Sequence, residues 1–135
     1  MLKQTELNKY KDDIEMCRTF GIMYLTGSIL EKKYEIGIAM ITTATDRGDA
    51  LAQALLATCY DRGWGISPDD EKALKYYEMA SKGGDDSAKY RLGYLYYHGI
   101  YVKTDTEKGI SLLREVASKG NKAAKKMLDE LGSDF

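Results

Sequence analysis

At 135 residues and 44% hydrophobic content, the chain has the length and apolar share of one folded domain. Its 20 basic and 21 acidic side chains leave a formal charge of −1, which supplies no general attraction for nucleic acid or acidic membranes. A single proline leaves long stretches free to be helical.

Residues 1–13 are polar and lysine-rich, which predicts neither a signal nor a transit peptide. Leu7, Tyr10, Ile14, Cys17, Gly21 and Tyr24 nevertheless keep a 3–4–3–4–3 spacing that fits one helix face, with Thr5 as its candidate N-cap. The first helix is therefore expected to begin ahead of Ile14 and to act as a polar-backed cap. Residues 14–48 read as a helix ending near Gly27, a loop over 28–33, and a second helix with Ile38, Ile41 and Ala44 on its inner side. Residues 49–84 read the same way, with a helix over 50–62, a loop over 63–69 and a helix to Lys82. Ser67, Pro68 and Asp70 resemble a helix start: a capping oxygen, a proline in the first turn, and acid at the positive end of the dipole. Residues 85–120 repeat the plan, with Thr104 and Glu107 in the capping places. Residues 121–135 then supply one unpaired closing helix, its outer side carrying Lys122, Lys125, Lys126, Asp129 and Glu130, with Gly132 as its stop.

The plan rests on a period. Leu92, Gly93, Tyr96 and Gly99 fall on Leu56, Ala57, Tyr60 and Gly63 when shifted back by 36 residues, and on Phe20, Gly21, Tyr24 and Gly27 when shifted again. Self-similarity at this spacing marks a solenoid. Phe20, Leu56, Leu92 and Leu128 form one expected core ladder, Tyr24, Tyr60 and Tyr96 a second, and Ile41, Tyr77 and Leu113 a third. Gly21, Ala57 and Gly93, matched by Ala44, Ala80 and Val116, are the small residues that let paired helices approach. Cys17 and Cys59 have no counterparts at the repeat spacing and read as reduced thiols of a cytoplasmic protein. A disulfide between them needs a geometry that helical residues in neighbouring repeats rarely reach. No window approaches the ~18 apolar residues of a membrane span.

These residues resemble the Sel-one-like repeat family, a helical-hairpin relative of the tetratricopeptide repeats. The second copy matches the family pattern at Ala52, Leu56, Tyr60, Gly63, Gly65, Ile66, Asp69, Lys72, Ala73, Tyr76, Tyr77 and Ala80. The third matches at Ala88, Leu92, Gly93, Tyr96, Gly99, Val102, Asp105, Lys108 and Gly120, with Val116 in place of alanine. The first is the most degenerate, with Ile29 for the second loop glycine and Lys33 for the aspartate. The resemblance implies an all-α fold, a right-handed α-solenoid of three 36-residue helix–loop–helix repeats with an N-terminal extension and a C-terminal capping helix. It also implies that the first helices of the hairpins, the A helices, line the concave side, and that the chain is a non-catalytic adaptor or scaffold. The one-disulfide-per-repeat pattern of some secreted relatives is missing, which speaks against an extracellular member. Small bacterial members also act as immunity proteins that block a cognate toxin, which is the alternative expectation.

Positions that vary between copies while the ladders hold are the candidate partner-binding residues. On the A helices they are Arg18, Ile22, Leu25 and Thr26 in the first copy, and Ala54, Thr58, Asp61 and Arg62 in the second. The third copy supplies Tyr90, Tyr94, Tyr97 and His98, and the closing helix Lys126 and Glu130. Tyr90, Tyr94, Tyr97 and Tyr101 are spaced 4, 3 and 4 apart, which predicts one stripe of four phenols, a residue type that dominates interface energetics. Trp64 lies between two loop glycines and is a further candidate, weighed against folding down onto a neighbouring helix. His98 is the sole histidine and lacks the companion spacing of a metal or catalytic site. Asp69, Asp70 and Glu71 lack the alternation of a calcium loop and read as an acidic first turn. No nucleophile elbow, phosphate loop or paired-acid motif is present. The expectation is a protein or peptide partner, no nucleic acid, no membrane, no metal and no cofactor, with weak pairing of copies through the repeat ends as a further option.

Overall fold

Thirteen-residue helices answer the 36-residue period. The computed structural model describes residues 14–27 and 33–132. Among these residues seven helices follow one another: α1 (Ile14–Thr26), α2 (Tyr34–Asp46), α3 (Ala50–Arg62), α4 (Asp70–Lys82), α5 (Asp86–His98), α6 (Thr106–Ser118) and α7 (Lys122–Leu131). None of the described residues forms a strand. Each helix packs against the next in the chain, most closely within the hairpins α1–α2, α3–α4 and α5–α6. The fold is therefore an all-α stack of helical hairpins closed by one single helix. Residues 1–13, including Thr5, Leu7 and Tyr10, lie outside the described residues, as do most of the first loop and Ser133 to Phe135.

The register within a hairpin is antiparallel and set by small residues. In the first, Gly37 faces Leu25 and the carbonyl of Gly21, while Gly21 faces the side chain of Ile41. In the third, a methyl added at Gly109 would stand 2.7 Å from the backbone nitrogen of Tyr97 and 2.8 Å from the carbonyl oxygen of Gly93. The second hairpin has Ala57 and Ala73 at these points, both fully buried. The expected B-helix partners Ala44, Ala80 and Val116 are also fully buried, but they lie farther along the helix. Antiparallel pairing brings residues 37–41, not 44, opposite position 21, and that is the physical reason for the correction.

Three buried clusters fill the stack: one shared by α1, α2 and α3, one by α3, α4 and α5, and one by α6 and α7. The third ladder is the most deeply set, with Ile41 and Leu113 fully buried and Tyr77 nearly so. In the first ladder Leu56 and Leu92 are buried, whereas the end rungs Phe20 and Leu128 are half-buried. Tyr24 is fully buried, but Tyr60 and Tyr96 are only half-buried, against the expectation for that ladder. Their polar ends explain it: the Tyr96 hydroxyl donates to Glu78 Oε1 at 2.6 Å, and Tyr60 stacks on Tyr76 under the Lys72 amine. Cys59 and Leu95, equivalent by the same 36-residue shift, are fully buried rungs that the ladders omitted.

Helix starts are marked by carboxylates and one amide. Asp49, Asp85 and Asn121 cap α3, α5 and α7, each accepting from the backbone N–H three residues on. Asp69 and Asp105 do the same for α4 and α6. The expected caps Ser67 and Thr104 therefore fall short of the helices. An aspartate stands nearer the first turn in each case, and its full charge suits the positive end of the dipole better than a hydroxyl. Gly27, Gly63 and Gly99 turn the chain out of the A helices in the left-handed region, with φ of 68°, 72° and 67°. Two residues past this turn, Gly65 and Tyr101 both stay left-handed, at 69° and 66°. Tyr101 is the one non-glycine residue with positive φ among those described.

Candidate partner-binding site

The candidate residues gather at the junctions between successive A helices, and each junction is built differently. Between the second and third hairpins the centre is Asp61, in the last turn of α3, its side chain only 4% exposed. Its carboxylate accepts from Tyr101 Oη at 2.6 Å, Tyr77 Oη at 3.0 Å and Arg91 Nε at 3.1 Å, with Arg91 Nη2 at 2.9 Å. Thr58 Oγ1 lies 3.2 Å from the Tyr77 hydroxyl. Burial, with the Asp61 charge beside it, pushes the Tyr77 phenol up to about 12. The hydrogen bond to Asp61, with desolvation, raises Tyr101 to about 12. Thr58 and Asp61, expected at the partner surface, are thus engaged inside the stack.

The first junction is apolar. Ile22, Leu25 and Thr26 of α1, Tyr34 of α2, Leu55 and Cys59 of α3, and Trp64 of the following loop line a cavity of about 270 Å³. Leu25 is mostly buried, whereas Trp64 is 42% exposed. The Arg62 guanidinium lies 5.5 Å from the centre of the Trp64 ring. Burial raises the Cys59 thiol to about 11, so it is a neutral wall of the cavity. Cys17 and Cys59 are both buried and are not joined in a disulfide.

At the third junction aromatic rings take the space. Tyr90, Tyr94 and Tyr97 are half-buried and pack on the cluster formed by α6 and α7. The exposed His98 ring lies 4.5 Å from that of Tyr94 and 5.0 Å from that of Tyr97, and Arg91 lies over Tyr94 at 5.4 Å. The stripe holds three phenols rather than four. Helix α5 ends at His98, Gly99 turns the chain, and Tyr101 leans back to Asp61 instead of continuing the row.

Ile22, Leu25 and Trp64 are therefore brought together, as are Tyr94, Tyr97 and His98. Arg18 stands apart, its Nη1 2.7 Å from the Asp49 carboxylate that caps α3. Leu55, Arg91 and Met127 went unrecognised. They occupy one repeat position, directly before the large ladder residue, and they differ between copies as sharply as the chosen positions do. Helical side chains lean toward the N-terminus, which carries this position onto the preceding A helix. Among the described residues no group of three or more His, Cys, Asp or Glu could hold a metal ion, and no helix is long and apolar enough to cross a membrane.

Stacked hairpins with buried positions that recur every 36 residues and three dissimilar junctions define a helical-repeat scaffold. The family model of the Sel1 repeat matches residues 16–49, 50–85 and 86–121, and the chain belongs to that family. A solved Sel1 repeat protein from Oxalobacter formigenes is 30% identical, with 93% of this chain and 96% of that one covered and a TM-score of 0.82. The cysteine rich protein B of Helicobacter pylori shares the fold at 19% identity, 92% coverage of each chain and a TM-score of 0.72. The DAP3-binding cell death enhancer 1 proteins of mouse and rat are 26% and 27% identical over 105 residues. That alignment takes in 78% of this chain and 20% of each relative, so the chain spans about a fifth of the length of the curated relatives it matches. Sel1 repeat proteins generally mediate protein–protein interaction and are typically non-catalytic.

Proposed function

We propose that this chain is a non-catalytic interaction module that takes a protein or peptide partner along the concave face lined by α1, α3 and α5. One observation carries the reading. Inside the helices the recurring positions Ala52/Ala88/Ala124, Leu56/Leu92 and Ile41/Tyr77/Leu113 are buried, whereas Ile22, Arg62, Trp64, Tyr94, Tyr97 and His98, which do not recur, keep part or all of their surface. A scaffold whose core repeats while its A-helix surface does not has its specificity written in those side chains. Two relatives are described as binding another protein, DAP3, which supports a protein partner as a class. The near-balanced charge favours a protein over nucleic acid. Two cysteines not joined in a disulfide fit a cytoplasmic setting.

The test is a pull-down from the source cell with wild-type protein, a Tyr94→Ala/Tyr97→Ala variant, and a His98→Glu variant at an exposed site. Circular dichroism checks that each is folded. Loss of a wild-type partner by a folded variant is the expected result. Equal recovery of every partner by all three removes the A-helix face from the interaction.

A further inference from the structure

Equivalent points of the first two junctions hold different chemistry, and an apolar cavity lies at the first of them. At the second junction Tyr101 fills the space beside α3, anchored on Asp61. Shifted back by 36 residues, Tyr101 becomes Gly65, Asp61 becomes Leu25 and Arg91 becomes Leu55. Tyr34 of α2 packs against Gly65 where the phenol would begin, and the ion pair is replaced by two leucines. Between α1 and α3 lies the cavity of about 270 Å³, whose lining among the described residues includes no acid and no base. At its rim Arg62 lies over Trp64 and forms no ion pair with any described residue.

We propose that this cavity seats one large apolar side chain of the partner polypeptide, with Arg62 taking an acidic group beside it. The inference rests on the interaction-module reading and names the part of the partner that the first junction recognises. Size supports it, since an aliphatic cavity of roughly 150 Å³ already takes up benzene. A phenylalanine, methionine or leucine side chain fits in the larger space. Charge supports it as well. A guanidinium held over an indole keeps N–H donors for a carboxylate beside the apolar wall. Apolar pockets with one oriented charged group are the usual form of a small recognition site.

Trp64 is the chain's single tryptophan, so its emission reports occupancy. The probes are 3-phenylpropanoate, which joins a phenyl ring to a carboxylate, and 3-phenylpropanamide, its uncharged counterpart. A saturable change in Trp64 emission is expected with both, with the amide about fivefold weaker for want of the charge-assisted contact. Arg62→Gln should erase the difference between acid and amide. Ile22→Phe and, independently, Leu55→Phe should fill the cavity and abolish both responses. A flat titration overturns the proposal, and so do equal affinities for acid and amide, or responses unchanged in both filled variants. If the probe fails while the Tyr94→Ala/Tyr97→Ala variant still loses its partner, the pocket assignment falls and the interaction face stands. If the probe binds as expected and Arg62→Gln equalises the two, the pocket is established whatever the tyrosine pair shows.

Discussion

The first and second junctions put the same backbone positions to opposite uses. Between the first two hairpins, Leu25 and Leu55 line an apolar gap, and the Arg18–Asp49 ion pair ties α1 to the start of α3. Between the second and third, Asp61 and Arg91 stand at those two positions, and Tyr77 and Tyr101 complete the coordination of the carboxylate. The first hairpin also holds the described buried oxygens that lack a hydrogen-bond partner among the described residues, Tyr24 Oη and Thr45 Oγ1. The 36-residue repeat thus sets where helices meet but leaves the chemistry of each meeting open. An apolar joint tolerates a void and can admit a guest. A joint built on a buried carboxylate is directional, and each of its partners depends on the others.

Making the second junction resemble the first should have the largest effect. Asp61→Leu removes the acceptor for two phenols and the partner of Arg91, and should cost about 3–5 kcal/mol in urea unfolding. The double variant Asp61→Leu/Arg91→Leu, which copies the Leu25/Leu55 pair, should recover a good part of that loss. A double variant no more stable than the single would show that the joint does not turn on this pair. A smaller contrast compares equivalent glycines. Gly109→Ala drives its methyl into backbone atoms of Tyr97 and Gly93 and should cost about 1–3 kcal/mol. Gly37→Ala meets chiefly the Leu25 side chain, which borders the cavity and can shift into it, so its cost should be visibly less. Equal costs would mean that the cavity gives no slack.

Alkali separates the joints more gently. Cys59 titrates near 9.0 when unfolded and about 11 when folded, so its contribution is full below pH 9 and disappears as pH rises to 11. Tyr77 and Tyr101 move from 10.0 to about 12, so the second joint weakens between pH 10 and 12. In each case the folded state holds the proton more tightly, and stability falls as pH climbs. Urea midpoints of Tyr77→Phe across this range should decline less steeply than wild type above pH 10, whereas Cys59→Ala should flatten the decline that begins near pH 9. Identical slopes in all three proteins would remove both assignments.

Much of the fold was legible because a repeat places its buried residues at one spacing. The helix expected over 50–62, the end of α4 at Lys82 and the closing helix all appear in the structure, and each rests on residues that recur. The joints were less legible because they are made by residues that do not recur. Asp61 and Arg91 are 30 positions apart, and neither belongs to the shared pattern. Asp61 reads as an exposed charge until the chain brings Tyr77 and Tyr101 to it. The row of Leu55, Arg91 and Met127 carried a signal in its variability, but helical side-chain tilt was needed to place it on the preceding helix. Tyr101 was misplaced because its spacing continues the helix while Gly99 has already ended it. Capping went astray by one or two residues because a hydroxyl preceded a carboxylate that outcompetes it.

The left-handed tyrosine has a mechanical consequence. Its hydroxyl ties the loop after α5 to the last turn of α3, so the second joint carries a cross-brace that spans 40 residues of sequence. Its glycine counterpart has no side chain with which to make one. A load drawn along the stack should therefore open the first joint while the other hairpins travel together as one stiff arm.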